Sequence, residues 1–287
     1  MNFYDILLAR CLCCKAGSEA EPLNVTENGV YTADEGKAFN PVTVSVPLPS
    51  GTLPITENGI YDVYSYASVD VDVAGVGGIT ADDIAMRTIS GAISGSASQI
   101  NRWAFAECKS LTKIDFPNCE NVGASAFQNC YSLTEISFPV CTDIGGSAFY
   151  SCHSLAKASF PVCTSIWNGA FRNCSSLAEI SFPACMNIMS DAFINCSSLS
   201  EVSFPACVSI GSTAFRSCYN LLSFNLVGVS SVPVLSGTSV FYSTPIGGYT
   251  ASTGGVYGSV YVPSSLLTAF QTAPNWSLIA SERFVGV

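Results

Sequence analysis

Fourteen cysteines and one histidine are the residues of this chain best suited to chemistry. Eleven of the cysteines fall in two columns with a period of 22 residues: Cys108, Cys130, Cys152, Cys174, Cys196 and Cys218, and between them Cys119, Cys141, Cys163, Cys185 and Cys207. Such density raises disulfides, zinc or a nucleophile. Zinc wants paired ligands such as C-x-x-C, which the repeats lack. Thiols of one column leave successive coils in parallel, which disfavours a disulfide even where the Cα separation allows one. The remaining role is that of a small inward hydrophobe, so reduced, buried thiols are expected. Cys11, Cys13 and Cys14 stand apart in an apolar N-terminal stretch with no partner ligands, and a packing role is expected there too. His153 shares its column with Tyr131, Ser175, Ser197 and Tyr219, a mixture that suits a solvent-facing position. No G-x-S-x-G, H-E-x-x-H or P-loop occurs, and residues 91–95 (GAISG) read as a loop without phosphate-binding context. With no acid, base and nucleophile to assemble, the chain reads as non-enzymatic, without cofactor or metal.

The elements that position these columns follow from the same period. The unit A-F-x-x-C-x-S-L-x-x-I-x-F-P-x-C-x-x-I repeats with Phe105, Phe127, Phe149, Phe171, Phe193 and Phe215 as its marker. A coil this short cannot bury its own apolar face, so neighbours must stack into a continuous core. Ile136 and Phe138 are two apart and leave one face of a strand, which Pro139 ends because it has no N–H for the ladder. Ile144, Ala148 and Phe149 then suit a turn and a short helical or irregular return. On the strands, Lys113, Glu135, Lys157, Glu179 and Glu201 alternate in sign on most adjacent rungs, the arrangement that cross-strand pairs favour.

Composition bounds the partners. The net charge is −10 and the pI about 4.4, against a nucleic-acid partner. No apolar run is long enough for a membrane span. Residues 1–15 carry Asp5 and Arg10 and no clean cleavage pattern, so export by a standard signal is not expected. Residues 25–31 (VTENGVY) return as 55–61 (ITENGIY), each an Asn-Gly hairpin signal followed by an alternating strand, at 42–46 and 69–73. The organisation expected is an attachment segment (1–22), two small β-hairpin modules (23–78), an N-terminal cap (79–99) with a hinge at 75–78 before it and a helix from Thr80 to about Ile89, a solenoid of 22-residue units (100–226), and an irregular last repeat with a C-terminal cap (227–287). In that last part 264–273 reads as a helix and Trp276 as a shield over the final coil.

The repeat block resembles the BspA-type bacterial leucine-rich repeats, through six Ala-Phe pairs and five Phe-Pro steps at constant spacing, with Leu226-Val227 departing from Phe-Pro. That resemblance implies a right-handed solenoid of parallel strands used for adhesion or protein binding, as on bacterial surfaces. Residues 1–8 (MNFYDILL) and 27–36 (ENGVYTADEG) look like the starts and linkers of structural proteins of gut phages, which implies a virion or tail component, with a bacterial surface adhesin as the alternative. A trimer, and contact with other virion proteins through the N-terminal region, go with the tail reading. The columns left free by packing nominate Tyr131, Tyr150, His153, Trp167, Arg172, Ile194, Arg216 and Tyr219 as a patch for a host-surface protein or glycan. Trp167 and Ile194 are expected to be exposed. A merely solvated face and subunit packing stay open as alternatives.

Overall fold

The computed structural model describes residues 43–45, 70–72, 91–95 and 97–287. Thr43–Ser45 pairs antiparallel with Asp70–Asp72, joining a strand of one N-terminal copy to a strand of the other. The attachment segment, the Asn-Gly turns, the glycine hinge, the capping helix at 80–89, and Cys11, Cys13 and Cys14 lie outside the described residues.

From Gly91 onward the chain is a solenoid of parallel rungs. Its longer strands are Gly91–Ser94, Leu111–Asp115, Glu135–Ser137, Lys157–Ser159 and Glu179–Ser181 in one five-stranded sheet, and Glu201–Ser203, Ser223–Asn225, Ser259–Val262 and Phe284–Gly286 in a second of four. A second face is a seven-stranded sheet of two-residue strands running from Gln99–Ile100 to Val234–Leu235. Between Gln99–Ile100 and Ser223–Asn225 the coils pair mostly 22 residues apart, as in Glu135↔Lys157 and Ile144↔Ile166, and the first and last rungs depart from that register. Residues 91–94, expected as a loop, form the first rung instead. One buried isoleucine, Ile93 opposite Ile114, is enough to seat them, because the next coil supplies the ladder. Gly91, at φ 100°, takes up the register shift beside it.

Two columns of phenylalanine form the spine of the core. Rings of the marker column stack nearly parallel, 5.0 Å apart at Phe105–Phe127 and 5.3 Å at Phe149–Phe171. The column at the strand ends stacks likewise, 5.2 Å at Phe160–Phe182, and meets the first edge-on, as at Phe171–Phe182 (5.8 Å, 71°). The two arrangements are those the ring quadrupole favours. The returns are irregular, with two left-handed residues per coil, such as Ser125 and Asn129, or Asp191 and Asn195. Serine, asparagine, aspartate and glycine dominate these positions because they tolerate that backbone at least cost. Each return also bonds to the next: Phe127 N–H donates to Ala148 O at 2.7 Å and Asn129 N–H to Tyr150 O at 2.8 Å. All three sides of the coil are therefore laddered by backbone hydrogen bonds.

The longer-strand sheet parts at one step only. Lys113, Glu135, Lys157 and Glu179 face one another in alternating sign, with Lys157 and Glu179 in an ion pair at 3.0 Å. The next rung is Glu201, and between Glu179–Ser181 and Glu201–Ser203 the pairing stops. Phe182–Phe204 widens there to 6.4 Å while Phe193–Phe215, on the return side, stays at 5.3 Å. The step is a wedge opened beneath two like charges, which facing strands disfavour. At the far end, a 3₁₀ turn (Ser264–Leu266) leads into a short α-helix (Leu267–Thr272) that buries Phe270. Trp276 is fully buried, and its Nε1–H donates to Pro233 O at 2.7 Å. Restoring the alternation with Glu201→Lys is expected to raise the melting midpoint by about 1–3 °C, the scale of one cross-strand pair. Thermal unfolding followed by circular dichroism checks this, and an unchanged or lower midpoint would remove like charge as the cause of the wedge.

Candidate recognition surface

The thiols are fixed by the fold in a way their spacing only half revealed. All eleven repeat cysteines are buried. In one column the Sγ–H donates to the carbonyl of a phenylalanine 25 residues earlier, in the preceding coil: Cys130 to Phe105, Cys152 to Phe127 and Cys174 to Phe149, each at 3.1 Å. In the other column it donates to the carbonyl two residues on, as in Cys119 to Asn121 and Cys141 to Asp143 at 3.2 Å. A cysteine therefore fills the core as a small hydrophobe and also satisfies a carbonyl, which neither alanine nor valine does. Burial pushes Cys119 and Cys163 up to about 11 and Cys141, Cys207 and Cys218 up to about 12. Cys130, Cys152, Cys174, Cys185 and Cys196 are raised by the same cause. A neutral thiol is neither a nucleophile nor a metal ligand. Among the described residues no three His, Cys, Asp or Glu side chains gather as a metal site.

The nominated residues divide into separate groups. Tyr131 and His153 stack face to face (5.4 Å, 17°), and the Lys109 ammonium lies 5.6 Å from the Tyr131 ring. His153 Nδ1 is 2.9 Å from Asn173 O, so Nδ1 carries a hydrogen and donates it to that carbonyl. Trp167 is 45% exposed and donates its Nε1–H to Asp143 Oδ1 at 2.5 Å. It stands in a column that holds glycine at 123, 145 and 211, where a Cβ would come within 2.3–2.6 Å of the preceding coil's backbone. Arg172 pairs with Asp191 at 3.4 Å, while its Nε–H is buried without a partner. Tyr150, in the same column, is half-buried. Arg216 lies over the Tyr242 ring at 5.2 Å, and Tyr219 meets Tyr249 at 5.5 Å.

Ile194 is a correction: it is only 9% exposed. Its column neighbours are Arg172 and Arg216, and at rung spacing long side chains close over a shorter one between them. Column variability thus marked a position whose depth it does not report. Conversely, Tyr242, Tyr249 and Tyr257 are exposed and were not nominated. Their signal was present but shifted: Phe241 stacks on Phe215 at 5.9 Å and continues the marker column, yet it follows after 26 residues instead of 22. Tyr242 is therefore the next member of the Arg172–Ile194–Arg216 column.

With the geometry in view, residues 88–184 and 142–250 match the BspA type leucine rich repeat region, in six copies. These spans take in more than half of the chain, and the protein belongs to the BspA-type leucine-rich repeat family. No curated protein matches it. Among solved structures it is similar to a leucine rich repeat protein of T. pallidum (31% identity, 45% of this chain and 64% of that one, TM-score 0.43). It is also similar to a leucine-rich repeat protein from Bacteroides ovatus (21%, 70% and 56%, TM-score 0.48) and to a leucine rich cell surface protein from Faecalibacterium prausnitzii (17%, 66% and 76%, TM-score 0.25). The chain spans 64% and 56% of the length of the first two.

The raised thiols set a pH dependence. In the fold they stay neutral, whereas in the unfolded chain they ionise at their ordinary value of 9.0. Their contribution is therefore complete below about pH 9 and is lost as pH rises through 9 to 12, by about 1.4 kcal/mol per pH unit for each thiol. The urea midpoint is expected to be level from pH 7 to 8 and to fall steeply above 9. A midpoint that holds level to pH 10.5 would contradict neutral burial.

Proposed function

We propose that this protein is a non-enzymatic recognition module that uses its solenoid for adhesion, binding a protein partner through the return side. The observation that carries this reading is Trp167: a large ring held half in water by a bond to Asp143, in a column where three other coils have glycine. Arg172 follows on the same return, and the Tyr131–His153 stack stands on the two preceding coils. Tryptophan, tyrosine and arginine are the residues that most often anchor protein interfaces. Rung-to-rung bonding of the returns orders the backbone that carries these side chains, which lowers the entropy lost on binding. Display on a bacterial surface is the placement that the family resemblance implied. The phage-like words rest on residues 1–8 and 27–36, outside the described residues, and the described surface adds nothing to them.

The test is attachment of the fluorescently labelled full chain to intact cells of a candidate host. Trp167→Ala combined with Arg172→Ala is expected to weaken attachment at least tenfold with the melting midpoint little changed. Unchanged attachment would remove the return side as the binding surface. Loss of self-association in sedimentation, with attachment intact, would assign the patch to subunit packing.

A further inference from the structure

Beyond the coils that carry Trp167 and Arg172, the last irregular coil exposes a further surface. From 217 to 281 the chain contains no Asp, Glu, Lys, Arg or His, although the whole chain carries a net charge of −10. Within this neutral stretch the loop from Tyr242 to Tyr257 exposes three tyrosines, at 59%, 40% and 57% for Tyr242, Tyr249 and Tyr257. Each ring is braced by a neighbour. The Arg216 guanidinium lies 5.2 Å from the Tyr242 ring, Tyr219 packs at 5.5 Å from Tyr249, and the Arg283 guanidinium lies 4.4 Å from Tyr257. Arg283 is itself held, donating from Nη1 to Ile246 O at 2.5 Å. Tyr249 N–H donates to Thr244 O at 2.8 Å within the loop, and Ser252 Oγ–H donates to Tyr219 O, which ties the loop back onto the coil beneath it. Between Tyr249 and Tyr257, Gly254 and Gly255 have nothing within 4 Å of where a side chain would stand.

We propose that this loop binds a neutral carbohydrate chain, with Tyr242, Tyr249 and Tyr257 as stacking pads. A pyranose presents a flat face of C–H groups with slight positive charge, which a tyrosine ring meets with its negative face. Rings braced from one side lose little freedom when a sugar covers the other. A charged polymer would give up hydration here and meet only the two arginines that lie against the rings, on a chain of net charge −10. Tyrosine and arginine also anchor protein interfaces, but an interface of ordinary size has an apolar centre, whereas here the tyrosines are spaced by serine, threonine and glycine, whose hydroxyls and backbone offer adaptable hydrogen bonds. The proposal differs from the Trp167 reading in its partner and in the residues its test changes, although Tyr242 continues the Arg172–Ile194–Arg216 column.

Affinity electrophoresis of the full chain tests it, in native gels cast with mannan, laminarin or xylan, and with heparin as the anionic comparison. At least one neutral gel is expected to retard the protein while heparin does not. Replacing Tyr242, Tyr249 and Tyr257 together by alanine should weaken retardation at least tenfold. The triple phenylalanine variant should keep it within threefold, and Lys113→Ala, at the other end of the solenoid, should leave it unchanged. Where the triple alanine chain does not fold, the single alanine variants take its place, each expected to weaken retardation at least threefold. No retardation in any neutral gel, stronger retardation by heparin, or retardation that survives loss of the tyrosines would overturn the proposal. Capture of a purified protein through the same tyrosines, without retardation by any polysaccharide, would overturn it in favour of a protein interface.

Discussion

Each coil takes its position from the contact between a phenylalanine ring and the ring of the same column one coil away, nearly parallel and a little over 5 Å distant. That spacing is close to the separation of hydrogen-bonded strands, so the stacked rings and the backbone ladder enforce one another. The thiols complete the lock. A cysteine bonded to the carbonyl of the preceding coil's phenylalanine ties two coils at the point where their rings meet. In a stack of this kind stability is a sum over neighbouring coils, so one mismatched step can be tolerated where the others are well matched. The Glu179/Glu201 wedge is such a step, with the longer-strand side open and the return side continuous.

The same register explains how the surface is displayed. Core columns are occupied by Phe, Leu, Cys and Ala in coil after coil because each sits against its own copy. Freedom is left on the strand faces, at the corners and along the returns. Because the returns are laddered, their variable side chains keep a fixed rise from coil to coil, and a partner can read them as a column. The acidic and basic residues of the longer-strand face largely answer one another across rungs, while the aromatic residues of the return side and of the last coil are the ones turned to solvent.

Much of this was legible in the sequence because a 22-residue period reports core columns directly: Ile136, Phe138 and Phe149 are buried where the spacing put them. What was illegible depended on relations between coils. The Cys130 to Phe105 bond joins residues 25 apart, one period and three positions, and a single column shows nothing of it. The strand at 91–94 was hidden because glycine, alanine and serine carry little strand signal and only the neighbouring coil makes them a rung. Ile194 was misplaced because its column varies, and variation in a column does not report depth. Tyr242 was passed over because an insertion lengthens one coil and breaks the count.

The claim on which the rest turns is that the returns are as firmly laddered as the strands. Amide hydrogen exchange resolved to short peptides measures this most directly. The account predicts that return amides such as those of Phe127, Asn129, Phe149, Ser151, Phe171 and Asn173 are protected to the same degree as those of Glu135–Ser137 and Lys157–Ser159. Protection confined to the strands, with the returns exchanging as fast as the exposed loop at 250–257, would contradict it.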